Sequence, residues 1–307
     1  MILVVGGTGF IGRHFLQSLA GSQRLAVTAS RNPDRAFLAE HAASIEAVTM
    51  SELYRQPDRL AEFSAVVWLA GGNGPAQNVG EPWREMSQTV EPVVEFAHRA
   101  LRVRPDMHFV YLSSGGTVYG SVCGRLATED MPLRPISSYG FGKVVAEAAL
   151  FSIAASHGLK LTVLRPSNPI GAWQVGKQQG VVRSILNAMK TDAPFTIFGD
   201  GENLRDYFDA RDLAAAIVRT LDMPDQAAGR IFNVGSGQAR SVNDIVSLVE
   251  TVTGQTLNVV RLPGRSVDVK EIVLDTSRIR AELGWAAKIP LKQSVEDMVA
   301  GSSVIAD

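Results

Sequence analysis

The stretch Gly6-Gly7-Thr8-Gly9-Phe10-Ile11-Gly12 decides the fold of this 307-residue chain. It follows the apolar run Ile2–Val5 directly and opens a segment with helical periodicity. Where a strand turns into a helix, one glycine allows a sharp turn, another lets backbone N–H groups approach a pyrophosphate, and a third allows close packing. We therefore expect a dinucleotide to bind at Gly6, Gly9, Phe10, Ile11 and Gly12. The alternative is a tight turn that binds no ligand.

The rest of the first half alternates short strands with longer helices. Brief runs rich in Val, Ile and Leu predict buried strands at Ile2–Val5, Leu25–Ala29, Ala65–Leu69, Phe109–Leu112 and Leu161–Leu164. Helical periodicity occurs between them at Arg13–Leu19, Pro92–Leu101 and Lys143–Ala155. This order predicts an α/β fold, a Rossmann-type doubly wound parallel sheet with helices on both faces.

The second half is less regular and predicts a smaller, mixed α/β domain that binds the substrate. A segment rich in Pro, Gly, Asn and Gln begins near Pro166 and marks the boundary. Further elements are predicted at Val181–Lys190, Phe195–Phe198, Asp212–Leu221, Arg230–Val234 and Ser241–Thr253, of which the second and fourth are strands. We assign residues 1–168 to the dinucleotide-binding domain, rejoined by about 208–236, and residues 169–207 and 237–307 to the substrate domain.

Composition excludes several classes of function. With 30 Lys plus Arg against 31 Asp plus Glu, the net charge of −1 gives no field to hold a polyanion, so nucleic acid is not an expected partner. The single cysteine, Cys123, excludes an intramolecular disulfide, and the five histidines have no metal-ligand spacing. No apolar run reaches the ~18 residues of a membrane helix. We expect a cytoplasmic protein without a metal or a membrane contact.

The end of the second strand bears on the choice between NAD and NADP. An acidic residue there would hold the ribose hydroxyls and repel a 2′-phosphate. This chain has Ser30 and Arg31 instead, and a hydroxyl and a guanidinium suit a phosphate. The sequence therefore favours NADP, unless Arg31 is a solvated surface residue.

Further motifs along the chain point to one family. They are Leu69-Ala70-Gly71, Ser113-Ser114-Gly115-Gly116-Thr117-Val118-Tyr119-Gly120, Ser138-Tyr139-Gly140-Phe141-Gly142-Lys143, Arg165-Pro166-Ser167-Asn168, Gly199-Asp200-Gly201 before Arg205-Asp206-Tyr207, and Pro263-Gly264-Arg265 with Asp268. In this order they resemble the extended short-chain dehydrogenases/reductases of the NAD-dependent epimerase/dehydratase family, and most of all its UDP-glucose 4-epimerase branch. That family oxidises and re-reduces a sugar carbon of a nucleotide-diphosphate sugar on a bound nicotinamide.

Tyr139 and Lys143 are the expected catalytic pair. Four residues apart, they lie on one face of a helix. Lowering a tyrosine pKa from ~10 to ~7 requires about 4 kcal/mol, which the Lys143 ammonium and an oxidised nicotinamide can supply. The phenolate would then take the proton of a sugar hydroxyl. The resemblance also implies that Tyr139, Lys143 and the segment Leu69, Ala70, Gly71 contact the cofactor.

The third catalytic residue of the family, a Ser or Thr, is missing from its usual place, where Gly115 stands. Either Ser114 or Thr117 can replace it. We favour Ser114 because it follows the end of a strand. Alternatively, Ser113 and Ser114 only satisfy backbone groups. A family asparagine that supports the active site is replaced by Thr89.

The resemblance implies four substrate-binding residues. Asn168 matches a contact to the sugar nucleotide, Arg205 the arginine that clamps the diphosphate, and Arg265 and Asp268 contacts to phosphate or ribose. Arg165 is expected to support its turn, and Asp209 and Asp212 to cap the next helix.

Three functions remain open from the sequence. The first is a nucleotide-diphosphate-sugar 4-epimerase that forms a transient 4-keto sugar, with a UDP-sugar as the expected substrate. The second is an NADPH-dependent 4-ketoreductase, which Ser30, Arg31 and Gly115 favour. The third is a non-catalytic NAD(P)-binding regulatory protein. The resemblance also implies a homodimer formed through Pro92–Leu101 and Lys143–Ala155.

Overall fold

The structure, a computed structural model, describes residues 1–19, 23–28, 35–40, 44–71, 81–122, 124–174, 180–265 and 268–302. The strands in these ranges are β1 (Ile2–Val5), β2 (Leu25–Thr28), β3 (Ile45–Val48), β4 (Ala65–Trp68), β5 (His108–Leu112), β6 (Lys160–Pro166), β7 (Asn168–Ile170), β8 (Phe195–Phe198), β9 (Leu204–Asp209), β10 (Arg230–Val234), β11 (Ala239–Arg240), β12 (Val259–Leu262) and β13 (Glu271–Ile272). The α-helices are α1 (Phe10–Ser18), α2 (Arg35–Glu40), α3 (Met50–Arg55), α4 (Pro82–Glu85), α5 (Glu91–Val103), α6 (Gly115–Val118), α7 (Ser138–His157), α8 (Val181–Lys190), α9 (Ala210–Asp222), α10 (Pro224–Ala227), α11 (Val242–Thr253), α12 (Ser277–Leu283) and α13 (Leu291–Ser302). A 3₁₀-helix covers Pro57–Glu62 and a π-helical turn covers Met86–Val90.

The main sheet has seven parallel strands in the order β3-β2-β1-β4-β5-β6-β10 among the described residues. Strand order reverses between β1 and β4, so the loops after these two strands flank a crevice at the carboxyl edge. The predicted Rossmann-type parallel sheet is thus confirmed.

Helices cover both faces of this sheet, because its strands are apolar on both sides. On one face α1, α9 and α12 bury residues such as Phe15, Leu213 and Ile279. On the other, α5 and α7 bury residues such as Phe96 and Leu150.

A separate core lies among α8, α11 and α13, with β8 and β12 paired beside it. A small sheet around β9 also takes in β7, β11 and β13. Although α12 falls within the segment 237–307 that we assigned to the substrate domain, its side chains lie in the core beneath the main sheet.

Candidate active site

The loop between β1 and α1 forms a cradle at the crevice. Gly6 has a left-handed φ of +83°, and a Cβ there would lie 2.9 Å from the backbone nitrogen of Ala70. A Cβ on Gly12 would lie 2.2 Å from the carbonyl oxygen of Gly7, so the helix packs directly on the loop. Gly9 is the N-cap of α1, which directs the positive end of this helix at the cradle. Phe10 and Ile11 open the same helix.

The second wall of the crevice follows β4. Leu69 and Ala70 both donate their backbone N–H to the carbonyl of Val5, at 2.9 and 3.0 Å. Gly71, with φ of +147°, lies against Lys143, because a Cβ there would be 2.8 Å from Nζ. The expected cofactor segment is therefore adjacent to the Gly6 cradle on one side and to Lys143 on the other.

An apolar cavity of about 450 Å³ opens beside the cradle. Met50, Tyr54, Trp68 and Pro92 line it, together with Thr28 at the end of β2. A glycine cradle at a helix N-terminus next to an apolar slot fits a pyrophosphate joined to a flat base. These residues therefore fit a dinucleotide. Ser30 and Arg31, on which the preference for NADP depends, lie outside the described residues.

Lys143 is buried at the carboxyl edge of the sheet. Its Nζ donates a hydrogen bond of 2.8 Å to the carbonyl of Leu112 and lies 5.0 and 5.7 Å from the ring centres of Tyr111 and Tyr139. Burial lowers the pKa of Lys143 to about 8, although the carboxylates of Glu147 and Glu85 act in the opposite direction.

Tyr139 lies one helical turn before Lys143 and is hydrogen-bonded to the side chain of Ser114. Burial raises the pKa of Tyr139 to about 12, the hydrogen bond with Ser114 opposes this, and the charge of Glu85 adds to the rise. Ionisation of Tyr139 near neutral pH therefore requires further positive charge in the site.

Gly115 has no room for the family hydroxyl. A Cβ there would lie 2.7 Å from the carbonyl oxygen of Arg165 and 2.6 Å from Cδ1 of Leu274. Of the two candidate replacements, Ser114 faces Tyr139, whereas the hydroxyl of Thr117 lies 3.4 Å from the carbonyl of Ser114 in its own helical turn.

A buried polar network holds this edge of the sheet together. Both carboxylate oxygens of Glu147 accept hydrogen bonds from Arg165, the shortest at 2.5 Å, and Ser113 also donates to Glu147. Arg165 donates in addition to the hydroxyl of Tyr119 at 2.9 Å, which donates to Asn233 at 2.7 Å. Arg165 therefore supports the strand ends.

Asn168 lies beside α6 and next to β9. It begins β7 and pairs with Tyr207 of β9, two positions beyond Arg205, and a Cβ on Gly116 would lie 3.2 Å from its Oδ1. Among the described residues, its buried Oδ1 and the buried hydroxyl of Ser167 have no hydrogen-bond partner. Such atoms are suited to a ligand in the cleft.

The three other expected substrate residues are close together. Arg265 forms a two-point ion pair with Asp268 at 2.9 Å and lies 4.2 Å above the ring of Phe198. Asp268 also acts electrostatically on Arg205, whose side chain donates to the carbonyl of Leu204. Burial lowers the pKa of Arg205. This cluster provides two guanidinium groups for a diphosphate.

One helix-cap prediction is wrong. Asp209 caps α9 by accepting from the N–H of Arg211 at 2.7 Å, as expected. Asp212 instead accepts from the backbone N–H groups of Lys288 and Ile289, at 3.1 and 2.9 Å. Its carboxylate is used by a loop distant in sequence, which the local pattern does not reveal.

The part of the chain that the structure describes contains no group of three or more His, Cys, Asp or Glu side chains arranged to hold a metal. None of its helices has the length and hydropathy needed to span a membrane.

The model of the NAD dependent epimerase/dehydratase family matches residues 2–235. A UDP-glucose 4-epimerase of Neisseria meningitidis is 30% identical, with 96% of this chain and 95% of the relative covered. A dTDP-4-dehydro-6-deoxyglucose reductase of Escherichia coli is 28% identical, with 97% and 96% covered.

The fold comparison agrees. The crystal structure of a UDP-glucose 4-epimerase with UDP-glucose from Thermotoga maritima has a TM-score of 0.90 and 27% identity, and 99% of each chain is covered. The match to the family model covers the glycine cradle, the Tyr139–Lys143 helix and β10. The chain therefore belongs to the NAD dependent epimerase/dehydratase family.

Proposed function

We propose that this protein is a nucleotide-sugar 4-epimerase. The observation that carries the proposal is that Ser114, Tyr139 and Lys143 come together at the carboxyl edge of the sheet, with Lys143 against Gly71 of the cofactor segment. Similarity to UDP-glucose 4-epimerases over 96% of the chain supports it. We infer a UDP-sugar as substrate.

Each residue of the site has a task in this chemistry. Tyr139 accepts the proton of the sugar 4-hydroxyl and returns it, while Ser114 donates a hydrogen bond to the same oxygen. Lys143 contributes positive charge that favours the phenolate. A bound nicotinamide supplies the acceptor and donor of the hydride at sugar C4.

Substrate binding follows from the charges of the cleft. Arg205 and Arg265 would hold the diphosphate, and Asp268 a ribose hydroxyl. Asn168 would contact the sugar nucleotide. The sugar ring must turn between the two hydride transfers, and a diphosphate anchor distant from the reacting carbon permits this.

The experiment that tests the proposal compares the wild type with Tyr139→Phe. We expect the wild type to interconvert the two C4 epimers of a UDP-hexose without consuming added NADPH. The variant keeps the ring but cannot take up a proton, so we expect at least a 100-fold lower kcat with cofactor binding retained. If the wild type turns over none of a panel of UDP-sugars, the regulatory alternative gains support.

A 4-ketoreductase is the second candidate, favoured by the similarity to the dTDP-4-dehydro-6-deoxyglucose reductase. Such an enzyme reduces a 4-keto sugar once, with one NADPH consumed for each product formed. Consumption of NADPH in proportion to product distinguishes it from the epimerase, which recycles its nicotinamide.

We propose that the cofactor is NADP rather than NAD, because Ser30 and Arg31 replace the acidic residue that would repel a 2′-phosphate. The variant Arg31→Ala should weaken NADP binding at least tenfold and leave NAD binding within twofold. Tighter binding of NAD by the wild type would contradict this preference.

We also propose a homodimer in the cytoplasm. The partly buried apolar side chains Val94 on α5 and Val144 and Phe151 on α7 leave surface for a second copy. Light scattering at micromolar concentration should give twice the mass of the chain, and a monomeric mass would contradict the proposal.

A further inference from the structure

Glu85 is a buried carboxylate close to the catalytic pair, and the chemistry above gives it no task. It ends α4, and its exposed fraction is 0%. The hydroxyl of Thr89, on the π-helical turn that follows, donates to its Oε2 at 2.7 Å. Burying a carboxylate has a large desolvation cost, which calls for an explanation at a site of this kind.

The position of Glu85 is defined by two glycines. A Cβ on Gly142 would lie 2.8 Å from the Cβ of Glu85 and 3.1 Å from its Oε2, so the carboxylate rests on the helical turn that carries Lys143. A Cβ on Gly71 would lie 2.8 Å from Nζ of Lys143 and 3.9 Å from Cγ2 of Thr89. Glu85 and Thr89 therefore form one wall of the Lys143 pocket.

We propose that Glu85, held by Thr89, is a positioning residue that controls the charge states of Tyr139 and Lys143. The inference rests on the proposed epimerase function and adds a residue to its machinery. A carboxylate in this wall stabilises the protonated, positively charged form of Lys143 and disfavours the phenolate form of Tyr139.

The other groups around Lys143 do not replace this charge. On α7, Glu147 is also close, but its two oxygens are shared with Arg165. On β5, the pocket has the carbonyl of Leu112 and the ring of Tyr111, both uncharged. The charge of Glu85 raises the pKa of Tyr139, in the same direction as burial, and it raises the pKa of Lys143 against the effect of burial.

The test is the pH dependence of kcat/KM for Glu85→Gln. Glutamine keeps the shape and an oxygen acceptor for Thr89 but removes the charge. Without the carboxylate, Tyr139 ionises at lower pH and Lys143 loses its proton at lower pH. Both limbs of the pH profile should therefore shift to lower pH, by about half a pH unit or more.

Two variants complete the design. Glu81→Gln removes the same charge from a surface pair with Arg84 and should leave both limbs in place. Glu85→Asp keeps the charge and should restore the profile towards that of the wild type. If Glu85→Gln does not fold, Thr89→Val decides instead, because loss of this hydrogen bond lets the carboxylate turn away from Tyr139 and Lys143, which shifts both limbs in the same direction.

An unmoved profile for a folded, active Glu85→Gln protein would overturn the proposal and leave Glu85 a purely structural residue. A wild type without epimerase activity counts against the proposed function instead. The two failures are therefore distinguishable.

Discussion

At the scale of single residues, the hydroxyl that assists Tyr139 is the sharpest prediction. The hydrogen bond between Ser114 and Tyr139 places Ser114 where it can also donate to the reacting oxygen. We expect Ser114→Ala to lower kcat by about 10²-fold, as the loss of one such donor does. The matched variant Thr117→Val should change kcat less than threefold, since this hydroxyl lies by a carbonyl of its own turn. Equal losses in steady-state kinetics would contradict the assignment.

Lys143 gives a prediction about stability and pH. Burial lowers its folded-state pKa to about 8, whereas the unfolded chain keeps the ordinary value near 10.4. Between these values the unfolded state binds more protons, so the contribution of Lys143 to stability rises with pH, by up to about 3 kcal/mol. Urea unfolding of cofactor-free wild type and Lys143→Met should give a stability difference that shifts in favour of the wild type from pH 8 to pH 10. A constant difference would show that this lysine is not strained by burial.

The sequence could not explain why Gly115 stands at the position where the family has a Ser or Thr. Motif spacing locates the departure, but the reason lies in Arg165 and Leu274, which approach Gly115 only in the folded chain. Glu85 was missed for a similar reason. It lies in a short helix of mixed composition, and its burial depends on contact with Gly142.

At the scale of elements, the glycine cradle is predicted to tolerate no added side chain. A Cβ on Gly12 would meet the backbone of Gly7 on the loop. The added atom would therefore press the backbone of the helix against the backbone of the loop, and neither has a flexible side chain that could move aside. We expect Gly12→Ala to lower the free energy of unfolding by about 1–3 kcal/mol and to weaken dinucleotide binding at least tenfold. Gly301→Ala, where an added Cβ meets nothing within 4 Å, is the matched control and should cost less than about 0.5 kcal/mol. Similar losses in both variants, measured by chemical denaturation, would contradict the close-packing argument.

The main elements were readable because their patterns are local. The apolar runs predict β1, β4, β5 and β6 to within two residues at each end, and β8 and β10 exactly as bounded in the structure. The strands β9 and β12 were not predicted, because each begins in a loop-like stretch of mixed composition. The strands β7, β11 and β13 were not predicted either. They have two or three residues each and form only because β9 provides a partner, so no periodic pattern marks them.

At the scale of the whole molecule, the order of alternating elements was enough to predict the parallel sheet, because crossover connections restrict the possible topologies. It was harder to predict which of the two cores the later segments pack against. In sequence α12 lies between α11 and α13 of the second core, yet it packs under the main sheet, where Ile279 and Leu283 are fully buried. Long-range packing of this kind has no signature in the segment itself.

NMR tests the central claim most directly. The claim is that the protein inverts the configuration at C4 of a nucleotide sugar and keeps its nicotinamide cofactor bound throughout. Purified protein is incubated with UDP-glucose, or with UDP-glucuronic acid if that fails, without added NADPH, and the C4 epimer is followed to equilibrium. We predict that the same equilibrium ratio is reached whether the incubation starts from the sugar nucleotide or from its C4 epimer, and that Tyr139→Phe approaches it at least 100-fold more slowly. Conversion only with NADPH consumed in proportion, or no conversion by a protein that binds dinucleotide, would contradict the account.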